Sequence, residues 1–204
     1  LAMVCTGQRF SESWSTPAAQ LDYFDLKGDL ESLLALTRVP AAFGFEAVPH
    51  PALHPGQTAR VTRKGQDVGL LGALHPSVGA RLGLSAPLFV CEIDLDAVLE
   101  AAQTKFSELS KFPEIRRDLA VVVDKSVTAR HLMEQVRSVA GTYLTDLTLF
   151  DVYTGKGIDP KRKSLALGLT FRDQSRTLAD EVVNLAMGQV IDLLEKNYNA
   201  ELRS

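Results

Sequence analysis

The stretch SLALGLTF, residues 164–171, alternates without a break. Leu165, Leu167, Leu169 and Phe171 fall on one parity, and Ser164, Ala166, Gly168 and Thr170 on the other. A period of two is the pleat of a β-strand, and large apolar residues facing small ones require a sheet buried on one side only. RRDLAVVVD repeats the pattern, with Leu119, Val121 and Val123 opposite Asp118, Ala120 and Val122. Between and after these strands come SVTARHLMEQVRSVA, LTDLTLFDVY, TLADEVVNLAMGQVIDLLEKNY and AELRS. The first reads as a helix with Leu132, Met133, Val136 and Val139 on one face. The third reads as a long helix with Val183, Met187, Val190 and Leu194 inward, opened by a predicted capping box Thr177-x-x-Asp180. The order β-α-β-β-α-β predicts a ferredoxin-like domain over 111–204, an antiparallel four-stranded sheet with both helices on one face. The register of LTDLTLFDVY stays open: either Phe150 and Val152 or Asp151 and Tyr153 reach the uncovered side. That side is a docking surface or a packing surface for the remainder of a longer chain.

The first half has a different grain. DLKGDLESLLALTRV carries a helical stripe through Leu30, Leu33, Leu34 and Leu36, stopped by Pro40. QTARVTRKGQDVGLLGALHP reads as a hairpin turning at Arg63-Lys64-Gly65, followed by a short helix after Pro76 and a strand PLFVCEIDL. Around EAAQTKFSELS the sequence turns small and polar, which places a linker over 99–110 and a first segment over 1–98. The chain opens on LAMVCTG, which reads as the middle of a strand and so as part of a longer polypeptide. No basic-then-apolar leader precedes it, and no run of about eighteen apolar residues suggests a membrane span. Cys5 and Cys91 have no partner spacing, which fits buried thiols in a reducing compartment.

The 204 residues carry a net charge of −3, which does not suggest a generally basic nucleic-acid binder. The charge is uneven. Residues 1–104 hold 7 basic and 11 acidic side chains, whereas 105–204 hold 15 and 14. Lys156, Lys161, Arg162, Lys163, Arg172 and Arg176 face only Asp159 and Asp173 within 156–176. A local patch of this kind suits an anion, although a solvated turn with ion pairs would look the same.

Familiar catalytic patterns fail on inspection. A phosphate loop needs G-x-x-x-x-G-K-[ST] leading into a helix, but Lys163-Ser164 follows Arg162 and opens a strand. Gly155 and Gly157 are expected to supply left-handed backbone for the hairpin connection. The loop DKSVT after the first strand has no arginine for an acylphosphatase-type anion site and no glycine for an amino-acid-binding regulatory module. His131 lies mid-helix, no G-x-S-x-G occurs, and His50, His54 and His75 sit beside prolines as turn residues without metal-ligand spacing. No catalytic residue and no metal site is predicted. What remains is a basic turn beside an open sheet face, with Arg116 and Arg117 leading into a strand; such cations neutralise phosphates and sheet aromatics stack the bases of single-stranded RNA, but a solvated turn fits the same residues.

KFPEIRRDLAVVVD, LFDVYTGKG and KSLALGLTFRDQSRTL, in that order, closely resemble the ferredoxin-fold anticodon-binding domain that ends the bacterial phenylalanyl-tRNA synthetase beta subunit. TGQRFSESW, DYFDLKGDLESLL, PALHPGQTA and GALHP resemble the preceding part of that subunit, a class II synthetase-like fold without catalytic residues. The resemblance implies an antiparallel sheet with helices in 1–98, and in 111–204 an anticodon-binding domain. It also implies tRNA(Phe) and a catalytic alpha subunit as partners, in a heterotetramer of two alpha and two beta chains in the cytoplasm. ATP and Mg2+ would serve the whole enzyme, with no cofactor in this stretch. On these motifs and the basic turn between them, the RNA-binding candidates are Arg116, Arg117, Phe150, Tyr153, Lys156, Lys161, Arg162, Lys163, Ser164 and Arg176. Lys156, Lys161 and Lys163 are the expected phosphate contacts, and Phe150 or Tyr153 the stacking ring. Asp118 and Asp151 are candidates either for orienting the arginines or for touching the RNA. The alternative is an amino-acid-binding regulatory module of the same fold.

Overall fold

The computed structural model describes residues 1–99, 103, 108 and 110–203. The chain divides into two compact units, Leu1–Phe106 and Ser107–Ser204. Most of the stretch expected as a linker, 99–110, lies outside the described residues.

In the first unit the elements are β1 (Ala2–Thr6), α1 (Tyr23–Ala35), β2 (Phe43–Ala47), β3 (Leu53–Arg63), β4 (Gln66–Leu74), α2 (Pro76–Arg81), β5 (Leu88–Ile93) and α3 (Leu95–Leu99). The five strands pair antiparallel in the order β1-β5-β4-β3-β2. Asp22 caps α1 by accepting from the Phe24 and Asp25 amides, and Asp25 returns the bond to the Asp22 amide. Leu26, Leu30 and Leu34 then pack with Val61, Leu71, Phe89 and Cys91 in one core. Leu36, expected in that stripe, is exposed. At about 100° per residue, two positions past Leu34 is the far side of the helix. The β3–β4 turn is Lys64-Gly65, both with positive φ (49° and 81°), as a two-residue hairpin on twisted strands requires. His50, His54 and His75 each use Nδ1 to accept the amide two residues on, so they shape turns. Burial pushes the Cys91 thiol up to about 11, which makes it a poor nucleophile.

The second unit contains β6 (Ile115–Asp124), α4 (Ala129–Val139), β7 (Leu144–Tyr153), β8 (Arg162–Phe171), α5 (Asp180–Tyr198) and β9 (Glu201–Leu202). The sheet order is β7-β8-β6-β9, and every pair is antiparallel. This is the ferredoxin-like arrangement that the alternation predicts. Leu119, Val121, Val123, Leu165, Leu167, Leu169 and Phe171 join Leu132 and Val136 of α4 and Val183, Val190 and Leu194 of α5 in a single core. Both helices therefore cover the same side of the sheet. Thr128 caps α4 through the His131 amide. The capping box expected at Thr177 does not form. Ala179 is the residue before α5 and caps nothing with its side chain, while the Asp180 carboxylate is drawn to Arg117. Asn199 ends α5 in the left-handed conformation, turning the chain back to β9.

Cutting Leu167 back to alanine should cost about 2–5 kcal/mol, because its side chain is fully enclosed between sheet and helices. Thr148→Ala, on the other parity of the same sheet, should stay within about 0.5 kcal/mol. Urea denaturation of the two variants checks whether one face alone carries the core.

Candidate nucleic-acid interface

The uncovered side of the second unit is built row by row from cross-strand partners. Arg116, Thr170 and Asp146 form one row; Asp118, Gly168 and Thr148 the next; then Ala120, Ala166 and Asp151; then Val122, Ser164 and Tyr153. The middle of this floor is small side chains, so the backbone is within reach of a flat ligand. Ser164 is buried in its row.

Two aromatic rings stand at the β7 side of the floor. The register of β7 shifts between Leu149 and Asp151, and that bulge resolves the open choice in the sequence. Asp151 and Tyr153 pair opposite Ala166 and Ser164, and Val152 pairs opposite the core residue Leu165. Phe150, the extra residue of the bulge, is also on the open side, because the Arg116 guanidinium lies 5.7 Å from its ring centroid. Phe150 is 52 % exposed and so keeps ring surface available for stacking. Asp118 steadies Arg116 through a 3.0 Å contact to Nε. Gly168 makes room for this side chain, since a Cβ there would stand 2.8 Å from Nη2.

Tyr153 is held differently. Its hydroxyl donates to the Lys156 carbonyl at 3.1 Å, and its ring folds over Gly155. A Cβ at Gly155 would collide with that ring, so this glycine serves close approach, and left-handed backbone falls to Gly157 (φ 91°) alone. The Arg203 guanidinium sits 4.8 Å from the Tyr153 ring centroid. Sequence reasoning missed Arg203. The signal was parity: Glu201 pairs opposite the open-face residue Val122, and two residues on lies Arg203, whose amide donates to the Ala120 carbonyl.

The other predicted cations do not gather on this floor. Arg117 pairs opposite the core residue Leu169, and its Nη2 contacts Asp180 at 2.6 Å on the helix side. Arg162 binds Glu201 through Nη1 and gives Nη2 to the carbonyls of Val122 (2.6 Å) and Asn199 (2.8 Å), which staples β8 to the end of the chain. Lys163 pairs opposite the core residue Val123 and donates to the Lys125 carbonyl at 3.0 Å, where burial pulls its pKa down. Arg176 lies beyond β8 on Asp173 and the Tyr143 hydroxyl. Lys156 and Lys161 remain on the exposed β7–β8 turn, and among the described residues neither ammonium group is in an ion pair. The floor thus meets Arg116, Phe150, Tyr153, Ser164 and Arg203, with Lys156 and Lys161 at its rim.

The loop after β6 is closed from within. Asp124 accepts from the Ser126 amide (2.8 Å) and hydroxyl (2.6 Å), and these bonds hold its carboxyl below the ordinary value.

Comparison with known families matches this geometry. Residues 110–203 match the model of the ferredoxin-fold anticodon binding domain. Residues 1–95 match that of the phenylalanyl tRNA synthetase beta chain CLM domain. Each of the two units is thus matched over nearly its whole length by one of these two family models. Along its whole length it is 49 % identical to the phenylalanine–tRNA ligase beta subunit of Pseudomonas fluorescens and 50 % identical to that of Pseudomonas putida. The beta subunit of Shewanella oneidensis is 42 % identical over the same span. In each case the chain spans about a quarter of the relative's length, 26 %. Among the described residues no helix is long and apolar enough to cross a membrane.

Arg162→Met should destabilise the second unit by about 1–3 kcal/mol, because the Val122 and Asn199 carbonyls lose a charged donor. A lower urea midpoint checks this. A second expectation concerns acid. Asp124 and Asp173 both have carboxyls held below the ordinary 3.8. Their contribution is complete above 3.8 and is lost as pH falls through their lower folded values. Replacing both with asparagine should flatten the fall of the urea midpoint in that acid range relative to the parent chain.

Proposed function

We propose that the second unit binds the anticodon loop of tRNA(Phe) on its open sheet face, as part of the beta subunit of a phenylalanine–tRNA ligase. The observation that carries this reading is the Arg116–Phe150 pair beside a floor of Ala120, Ala166 and Gly168. Unpaired RNA bases splay out and stack on aromatic and guanidinium planes, which needs a flat floor and an exposed ring. Lys156, Lys161 and Arg116 are placed to neutralise the neighbouring phosphates, and Asp118 fixes the angle of Arg116. Arg117, Arg162, Lys163 and Arg176 support the fold instead.

On this reading the first unit serves assembly with an alpha subunit, in a heterotetramer of two alpha and two beta chains. Aminoacylation, with its ATP and Mg2+, resides in the alpha subunit. The setting is the cytoplasm. The names of the relatives support a partner subunit, and the ferredoxin-fold anticodon binding domain supports the RNA.

Filter binding with tRNA(Phe) and an anticodon-swapped tRNA, at two salt concentrations, tests the proposal. Phe150→Leu should weaken cognate binding by about 1–3 kcal/mol and narrow the gap to the swapped tRNA. Lys156→Ala with Lys161→Ala should weaken both tRNAs alike and lower the salt slope by about two. Equal binding of both tRNAs by the parent chain, or calorimetric heat of phenylalanine binding to it, would overturn the reading in favour of a regulatory module.

A further inference from the structure

Arg203 is a cation on the open face for which neither the basic turn nor the motifs of the second unit account. Three observations place it there. Its amide donates to the Ala120 carbonyl at 2.9 Å, which continues the β6–β9 ladder by one residue. Its parity is that of Glu201, opposite Val122, so its side chain belongs to the uncovered side. Its guanidinium then lies 4.8 Å from the Tyr153 ring centroid, across from β9 to β7 at the opposite edge of the sheet.

The two aromatic rings of the face thus each carry a guanidinium, but the two arginines are held differently. Arg116 is tied to Asp118 at 3.0 Å, whereas Arg162 takes the Glu201 carboxylate beside Arg203. Among the described residues Arg203 has no carboxylate within ion-pair distance. A guanidinium over an aromatic ring keeps N–H donors in its own plane, free to form a fork with an anion. Tyr153 is in turn fixed by its hydroxyl on Lys156 and by Gly155 beneath it, so the arginine rests on a rigid support.

We infer that Arg203 is a phosphate-binding residue of the RNA face: it stays stacked on Tyr153 and receives, through its in-plane donors, a phosphate of the strand lying on the floor. The inference rests on the open face being the RNA site. It assigns the end of the floor where Arg203 reaches from β9 to Tyr153 on β7 to the nucleic-acid backbone, beside the Lys156 and Lys161 rim. A strand bound this way has its backbone gripped by Arg203 and the neighbouring lysine turn, with its bases over the small residues of the floor.

The test is a salt titration of tRNA(Phe) transcript binding to the full chain, with Arg203→Ala, Arg203→Lys and Tyr153→Leu, and the Ala–Leu double variant. Near-ultraviolet circular dichroism verifies folding, which main-chain pairing of β9 should preserve. Arg203→Ala should weaken binding about tenfold at low salt and lower the slope of log affinity against log salt by about one. Arg203→Lys should keep the slope, since the charge remains, yet bind several-fold less well without the planar stack. The double variant should bind no worse than about twofold below Arg203→Ala, because the support is useless without the arginine. An unchanged slope in Arg203→Ala, or additive losses in the double variant, would overturn the inference while leaving RNA binding by the face intact. Failure of the parent chain to bind the transcript at all would instead remove the underlying reading, and this inference with it.

Discussion

Burial of one side of the β7-β8-β6-β9 sheet is the constraint from which the second unit follows. Leu165, Leu167, Leu169 and Phe171 must leave water together, and only helices on that same side can take them out of it. The pleat then sends every intervening residue to the other side. Because those residues are Ala120, Ala166, Ser164 and Gly168, the second side is a shallow floor and cannot close as a core of its own. Stability and an accessible surface are two outcomes of one alternation.

The cations are divided by the same parity. Arg117 and Lys163 share the side of the core residues, so they curl round to Asp180 and the Lys125 carbonyl. Arg116 and Arg203 share the side of the floor, with their guanidinium groups over the rings of Phe150 and Tyr153. Arg162 is also on the floor side by register, yet Glu201 and two main-chain carbonyls at the end of the chain take it up. Arginine suits both tasks: its fork can satisfy several acceptors, and its plane can stack. Lys156 and Lys161 suit neither, being compact charges on a solvated turn, and are left at the rim as point charges.

Glycines set how closely these groups approach. Gly168 lets Arg116 lie across the sheet, and Gly155 lets the Tyr153 ring fold onto the turn. Gly157 alone has the left-handed backbone expected of both turn glycines. The β7 bulge works in the same direction. It adds one residue to the edge strand and so brings Phe150 to the floor in addition to Asp151 and Tyr153.

The amino-acid sequence by itself determined the element order of the second unit, the face that β6 and β8 bury, and the Lys64-Gly65 hairpin of the first. These depend on local chemistry: a period of two, a helical stripe, and turn residues that tolerate positive φ. The motifs KFPEIRRDLAVVVD and KSLALGLTFRDQSRTL also carried the family resemblance. Only the tertiary structure decided which cations stand on the floor. Arg116 and Arg117 are neighbours in sequence and opposite in space, and Arg162 is claimed by a glutamate 39 residues away. It also moved the start of α5 to Asp180, cost that helix its expected cap, and brought Arg203 to Tyr153 across the sheet. Such partnerships depend on strand register and on the chain's return after α5, and no pattern within a short window of residues encodes them.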